Sequence, residues 1–125
     1  MFTHVMVGAN DPEKSVAFYN AALGALGIAE GQKTPVGAFY SHNGGNFGVS
    51  APSNGEAATY ANGGTIGFQA TSEDQIDAFH AAGMANGGTC EGAPGPRGMG
   101  DMASYGAYLR DPDGNKICAF VMPGQ

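Results

Sequence analysis

The chain has 125 residues, of which 42% are hydrophobic and 13% charged, with a net charge of −6 and a pI near 4.7. This length supports one hydrophobic core and predicts a single domain. The acidic balance, which no cluster of Lys or Arg offsets, argues against nucleic acid as a partner. No apolar run approaches the roughly 20 residues of a membrane span, and the start lacks an export signal. We therefore predict a cytoplasmic protein without a membrane partner.

The first third of the chain predicts a strand, a helix and a hairpin. Residues 2–8 are apolar and β-branched, which favours a strand. Asp11 is a candidate helix cap and Pro12 suits the first helical position, so we expect a helix to about residue 25. A weak strand at 28–32 and a hairpin at 36–51 follow.

The same order of elements then returns. Residues 65–70 are typical of a strand. Ser72 with Gln75 forms a candidate capping box at the start of a second helix. Ile76, Phe79 and Gly83 lie at helical spacing and predict its buried face.

An internal repeat explains this return. The hairpin VGAFYSHNGGNFGVSA at 36–51 overlays YGAYLRDPDGNKICAF at 105–120 at an offset of 69, and each copy predicts a strand, a tight Gly-Asn turn and a strand. The upstream helices match at an offset of 61. We predict one domain made of two modules, residues 1–52 and 64–123, joined by a connector at 53–63.

The second module contains an insertion that changes the offset between the two copies. The offset grows by eight residues (69 − 61), all within GAPGPRGMGDMAS at 92–104. A segment rich in Gly, Pro and Met predicts a surface loop. A lid over a ligand and a merely tolerated loop remain alternatives.

The duplicated module and the final DPDGN hairpin resemble the vicinal oxygen chelate superfamily, which includes glyoxalase I, bleomycin-resistance proteins and extradiol dioxygenases. The resemblance implies an α+β fold of two repeated βαβββ modules that form an open U-shaped half-barrel. It also implies a small-molecule ligand in that cleft and a homodimer.

The resemblance places metal ligands in the first and last strands of each module. The first-strand positions are His4 and its repeat partner Thr65, and the last-strand positions are Cys118 and its partner Val49. A catalytic divalent ion needs three or four donors, and only His4 is a standard ligand in place. A divalent metal is therefore disfavoured, and no cofactor is predicted with certainty.

The same positions supply the candidate catalytic residues. His4 is a candidate metal ligand or general base. A dyad of His4 with Cys118 is a hypothesis, because a free cysteine is more often a buried apolar side chain than a nucleophile. Thr65 and Val49 are expected to contact the substrate from the equivalent positions.

Further ligand contacts are predicted outside those positions. Arg97, within the insertion, can clamp an anionic group. Tyr105 and Tyr108 offer stacking surfaces with polar tips, or simply pack the sheet. Arg110 is expected to pair on the surface with a neighbouring Asp of the DPDG turn, whose carboxylates we interpret as turn formers.

Two other histidines have weaker claims. His42 falls at a hairpin turn, where polar residues are ordinary, and His80 falls on the second helix.

Two functions remain open, with a third in reserve: an enzyme of this fold in which a side-chain acid or base, with Thr65, Cys118 and His4 as candidates, replaces the metal. The first function is a glyoxalase-like lyase that acts on a small carbonyl or thiol adduct, with most of the usual metal site lost. The alternative is a non-catalytic protein that sequesters a small molecule.

Overall fold

The structure is a computed structural model that describes residues 1–98 and 104–121. Two helices and eight strands follow each other in the order that a duplicated module requires. They are β1 (Val5–Gly8), α1 (Pro12–Gly24), β2 (Gln32–Thr34), β3 (Gly37–His42), β4 (Gly45–Ser50), β5 (Ile66–Gln69), α2 (Glu73–Ala85), β6 (Thr89–Arg97), β7 (Ser104–Arg110) and β8 (Lys116–Val121).

The strands form two four-stranded sheets with the same topology. The strand order is β1-β4-β3-β2 in the first sheet and β5-β8-β7-β6 in the second. The β1/β4 and β5/β8 pairs are parallel, and all the others are antiparallel. This repeated arrangement confirms the predicted α+β fold of two βαβββ modules.

Local sequence signals fix the helix starts. The Asp11 carboxylate accepts a hydrogen bond from the Lys14 backbone N–H at 3.3 Å, and Pro12 occupies the first turn of α1. The Ser72 hydroxyl accepts from the Gln75 N–H at 3.2 Å, while the Gln75 side chain accepts from the Thr71 N–H at 2.8 Å. Both helices therefore begin where the capping residues predict.

The core lies between the two modules, where α1 packs on α2. Phe18, Tyr19 and Phe79 are fully buried there. The rings of Phe47 and Phe68 meet edge to face with centroids 5.2 Å apart, which joins the two sheets through one apolar cluster. The halves thus share one core, as the length of the chain predicts.

The DPDGN turn between β7 and β8 is a structural anchor as well as a turn. Asp111 is only 3% exposed, and its carboxylate accepts hydrogen bonds from the Tyr19 hydroxyl at 2.6 Å and from the backbone N–H groups of Asp113 and Asn115, both at 2.9 Å. The Asn115 side chain donates to the Gly8 carbonyl oxygen at 3.0 Å. The turn of the second module is therefore hydrogen-bonded into the first.

Asp113 extends this anchor to the start of α1. Its two carboxylate oxygens accept from the Asn10 backbone N–H and from the Ser15 hydroxyl, each at 3.0 Å. Gly114 has a φ of +88°, a left-handed conformation that favours glycine. The sequence interpretation of the two Asp side chains as turn formers was correct but incomplete, because it missed their contacts with the other module.

The two hairpins differ in turn length, which corrects the predicted equivalence of their strands. The first turn contains only Asn43 and Gly44, both with positive φ as a type I′ turn requires, so the expected Gly45-Asn46 turn is wrong. The second turn contains the five residues 111–115. β3 and β7 therefore align at an offset of 69, but β4 and β8 align at 70 (120 − 50).

Two further expectations about the strands are wrong. The weak strand expected at 28–32 lies instead at Gln32–Thr34. The first part of the expected insertion loop is β6, which pairs with β7 as far as Arg97 and absorbs extra residues in irregularities between Cys90 and Gly95. The rest of that segment, 99–103, lies outside the described residues.

Candidate functional site

Each sheet has one face packed on a helix and one face turned away from it, here called the open face. Alternation along the strands decides the side on which each residue lies. In the second sheet, Leu109, Ile117 and Ala119 are fully buried on the helix side, which places Tyr108 and Cys118 on the open face. These two open faces are where the resemblance places a ligand.

The open face of the first sheet has an apolar centre, one imidazole, and a polar pair near the hairpin turn, where Ser41 lies opposite Asn46. Met6 is 43% exposed and lies across Gly48, next to the Phe39 ring. His4 is exposed just before β1, and its ring centroid is 6.1 Å from that of Phe39. The His4 Nδ1 atom lies 2.9 Å from the Thr3 hydroxyl. The imidazole is therefore accessible to a ligand on this face.

The open face of the second sheet is aromatic and positively charged. The rings of Tyr108 and Phe120 meet edge to face with centroids 5.7 Å apart. The Arg97 guanidinium carbon lies 5.6 Å, and the Lys116 ammonium nitrogen 5.1 Å, from the centroid of the Tyr108 ring. The two faces thus have different chemistry in spite of the repeat.

Cys118 lies between these groups on β8, opposite Gly67 of β5. It is a free, buried thiol with an exposure of 6%. Burial raises the pKa of the Cys118 thiol, and the nearby Lys116 lowers it by less. The thiol is therefore protonated at neutral pH, which is unfavourable for a nucleophile.

A family model for the Glyoxalase/Bleomycin resistance protein/Dioxygenase superfamily matches residues 1–119. The chain belongs to this superfamily. The resemblance to the vicinal oxygen chelate proteins is thereby confirmed. No curated protein matches the chain significantly.

Solved structures agree with the superfamily fold. A glyoxalase/bleomycin resistance protein from Albidiferax ferrireducens T118 is 56% identical with a TM-score of 0.91, over 98% of this chain and 99% of that one. A glyoxalase-related enzyme from Fulvimarina pelagi is 21% identical with a TM-score of 0.77, over 98% and 88%. A lactoylglutathione lyase from Agrobacterium tumefaciens is 21% identical with a TM-score of 0.65, over 97% and 92%. The last two likenesses concern the fold alone.

The superfamily's metal positions can now be assigned from the strand pairing. Met6 pairs with Gly48 as Gly67 pairs with Cys118, so the partner of Cys118 in the first module is Gly48 and not Val49. Val49 is 1% exposed and packs in the core. The expected equivalence of Cys118 with Val49 is wrong, because an overlay without a gap hides the longer second turn.

The donor set at these positions does not fit a catalytic divalent ion. His4 offers an imidazole, Cys118 a protonated thiol and Thr65 a hydroxyl, whereas Gly48 offers no side chain. Three or four protein donors are usual for such an ion. Within residues 1–98 and 104–121, no group of three or more His, Cys, Asp or Glu side chains is placed to hold a metal.

The predicted catalytic pair is not joined within the chain. His4 belongs to the first sheet and Cys118 to the second, and no hydrogen bond connects them among the described residues. Thr65 is exposed, just before β5 and two residues before Gly67. The structure brings Cys118 close to Gly67, while His4 lies on the other open face.

Tyr105 is on the opposite side of the sheet from Tyr108. Its hydroxyl donates to the Asp77 carboxylate of α2 at 2.6 Å. This hydrogen bond, followed by burial and by the charge of Asp77, raises the pKa of Tyr105 to about 12. Tyr105 therefore links β7 to α2 by a hydrogen bond. The structure does not place it beside Tyr108 as a ligand contact.

Arg110 has a different partner from the one expected. It forms a salt bridge with Glu91 at 3.0 Å, donates to the Gly114 carbonyl oxygen at 2.9 Å, and lies 5.4 Å from the centroid of the Tyr60 ring. The hydrogen bond from Arg110 lowers the pKa of Glu91. The expected pairing with an Asp of the turn is wrong, because Asp111 points inward to Tyr19.

The other two histidines have ordinary surroundings on the surface. His42 is exposed, with its Nε2 atom 3.2 Å from the Asn43 side chain at the hairpin turn. The His80 Nε2 atom lies 3.2 Å from the Cys90 sulfur, and burial lowers the pKa of His80. The His80 and Cys90 contact was missed from the sequence, since it joins a helix to a strand ten residues away.

A cavity of about 540 Å³ is lined by residues of both modules. It opens beside the first hairpin turn and is lined by core side chains that include Leu26, Phe47 and Phe68. No Asp, Glu, Lys or Arg lines it, and its titratable side chains among the described residues are Tyr40 and His42. Neither described helix is long and apolar enough to span a membrane.

Proposed function

We propose that this superfamily member binds a small organic molecule, without a bound metal, in a cleft that two copies of the chain form between their open faces. The observation that carries this proposal is the contrast at the site. Aromatic rings with cations packed against them line the open face of the second module, whereas the four metal positions hold one standard ligand.

The need for a second copy follows from how the modules pack. In each chain, α1 and α2 lie together in the core, so each sheet turns its open face away from the helices. β1 pairs only with β4, and β5 only with β8, which leaves one free edge on each among the described residues. Met1, Phe2 and Met6 are exposed near the β1 edge. Pairing of the free edges in a homodimer covers these groups.

The test combines the mass of the assembly with ligand screening. We expect a dimer by light scattering, and a rise in melting temperature with a subset of small organic molecules, since binding to the folded state stabilises it by mass action. Addition of EDTA is expected to leave the melting temperature unchanged. A monomer that no compound stabilises contradicts the proposal.

A second candidate function rests on the accessibility of His4. An exposed imidazole on an open face can act as a general base on a small carbonyl or thiol adduct, as a glyoxalase-like lyase requires. Turnover of methylglyoxal with glutathione that is lost in His4→Ala supports this function. Turnover at that site would also show that the cleft catalyses a reaction in addition to binding its ligand.

A further inference from the structure

The positive charge of this acidic chain is concentrated on one sheet face. Arg97, Arg110 and Lys116 are three of only five basic residues, and all three flank the open face of the second sheet. Arg110 is neutralised by Glu91 at 3.0 Å. In the part of the chain that the structure describes, neither Arg97 nor Lys116 forms a salt bridge with a carboxylate. The charge of Lys116 also helps to lower the pKa of Glu91, although less than the hydrogen bond from Arg110 does. The charge of Arg97 and part of that of Lys116 therefore remain available for a ligand.

Both charges sit on the same aromatic ring. The Arg97 guanidinium and the Lys116 ammonium lie 5.6 and 5.1 Å from the Tyr108 centroid, within the range of a cation–π contact. The Tyr108 ring thus has one cation from β6 and one from β8 as neighbours. A cationic ligand is therefore not expected to bind there.

Backbone contacts hold the Arg97 guanidinium in place. Its Nη2 atom donates to the Ala93 carbonyl oxygen at 2.7 Å, and Nη1 donates to that of Gly95 at 3.4 Å. A guanidinium has five N–H donors, so several remain for an anion. These carbonyls orient the planar fork without neutralising it, which prepares it for a carboxylate.

Glycines keep the face open beside these groups. A Cβ atom at Gly92 would lie 2.9 Å from Arg97 Nη2, and one at Gly106 would lie 2.6 Å from the Phe120 ring. The Phe120 ring therefore lies against bare backbone and presents a flat apolar surface next to Tyr108. Flat rings favour stacking with planar groups.

We infer that this face binds a planar aromatic carboxylate, with the carboxylate at Arg97 and Lys116 and the ring against Phe120 and Tyr108. This inference rests on the proposed cleft function and gives it a ligand class. An overall charge of −6 favours cationic ligands at long range. At this face the local charges have the opposite sign, and at contact distance they decide the preference.

The experiment titrates the full-length protein with benzoate and follows its backbone amides by NMR. Benzamide, which has the same shape without the charge, and benzylamine, which is cationic, are the comparison probes. Inorganic phosphate reports on binding of an anion without a ring. We expect benzoate to shift the amides of Tyr108 and Phe120, and to bind about ten-fold or more tightly than benzamide, because charge-assisted bonds to Arg and Lys are lost in the amide.

Variants separate this face from a general effect of charge. Arg97→Gln and Lys116→Gln are each expected to weaken benzoate binding several-fold, and to weaken benzamide binding less, because benzamide loses no charge–charge attraction. Lys14→Gln and Lys33→Gln remove the same charge from α1 and β2, and are expected to have little effect on either probe. A melting temperature equal to that of the parent shows that each variant is folded.

The outcomes distinguish the ligand class from the cleft itself. Equal or tighter binding of benzamide or benzylamine at the same amides overturns the inference and leaves the cleft function standing. Tight phosphate binding with no preference for benzoate also overturns it, since the ring then contributes nothing. Failure of all four probes to shift the open faces overturns the inference, and a monomer in the same sample contradicts the cleft function as well.

Discussion

The two hairpin turns occupy equivalent places in the repeat but have different structural roles. The first turn, Asn43-Gly44, is exposed, and it bonds to no residue of the other module within the described chain. The second turn, 111–115, buries a carboxylate and hydrogen-bonds to β1 and α1 of the first module. Both copies therefore keep the fold of the hairpin, but of the two turns only the second hydrogen-bonds to the other module among the described residues.

The open faces differ in a parallel way. The first presents His4, Met6 and Phe39, with Gly48 at the position of a metal ligand. The second presents Tyr108 with its two cations. A ligand between two copies of the chain would therefore meet a wall of mixed polar and apolar side chains with one imidazole on one side, and an aromatic wall with two cations on the other.

The largest expected effect comes from removing the Asp111 carboxylate. Asp111→Ala leaves the Tyr19 hydroxyl and two backbone N–H groups without their acceptor in the core. We expect the free energy of unfolding to fall by about 3–5 kcal/mol, since several buried donors lose a charged partner. Urea denaturation measures this change.

His42→Ala is the matched control, because His42 stands 69 residues before Asp111 and is exposed. Its effect is expected to be within about 0.5 kcal/mol. Equal effects of the two substitutions would mean that the second turn is not an anchor.

The next effect concerns the loss of folding stability at alkaline pH. Burial, followed by the charge of Asp111 and the hydrogen bond to it, raises the pKa of Tyr19 well above its ordinary value. The unfolded chain therefore loses the Tyr19 proton near pH 10 while the folded chain keeps it, so stability falls with rising pH by about 1.4 kcal/mol per unit. Below pH 10 this contribution is fully present.

Tyr19→Phe removes this one titration and keeps those of the other tyrosines. Urea denaturation between pH 9 and 11 should show a less steep decline in the variant than in the parent. Parallel declines would show that Tyr19 is not held protonated by its burial.

A smaller effect is expected from two glycines that have similar backbone angles. Gly114 has a φ of +88° and Gly44 has a φ of +81°. A Cβ at Gly114 would lie 2.6 Å from the Tyr60 ring, whereas none lies within 4 Å at Gly44. Gly44→Ala should cost about 1 kcal/mol for its conformation.

Gly114→Ala should cost somewhat more than Gly44→Ala, because Tyr60 must also move away from Arg110. Thermal unfolding of the two variants gives the difference. A smaller loss at Gly114 than at Gly44 would contradict the packing of the connector on the second turn.

The smallest expected signal comes from the two cysteines. Iodoacetamide is expected to label Cys90, which is exposed, and to leave Cys118 unmodified in the native protein, because that thiol is buried and has a raised pKa. Mass spectrometry before and after denaturation counts one and then two adducts. Rapid labelling of Cys118 in the native protein would contradict this and support Cys118 as a candidate nucleophile.

Most of the fold was predictable because its signals are local and repeated. The caps at Asp11 and Ser72 and the buried face of α2 are short-range patterns, and the repeat supplied the topology. The offset between the two hairpins grows by one residue after the turn, from 69 to 70, and an overlay without gaps could not predict this. The change in offset moved the partner of Cys118 from Val49 to Gly48.

The site was predicted less well for a physical reason. Tyr105 and Tyr108 are three residues apart on one strand, so alternation places them on opposite faces, but the strand's register and bounds are needed to see which face is open. The pairing of Arg110 with Glu91 depends on β6, whose irregular pairing the Gly- and Pro-rich sequence concealed. The Asp111 contact with Tyr19 spans 92 residues and has no sequence signature.

The central claim is that the cleft works through side chains, since its metal positions have lost their donors. Elemental analysis of protein purified without added metal or chelator tests this most directly, with His4→Ala analysed beside it. The account predicts far less than one equivalent of zinc, nickel, manganese or iron in either protein. Near-stoichiometric metal in the parent that is lost in His4→Ala would contradict it and restore the metal-dependent chemistry of the superfamily.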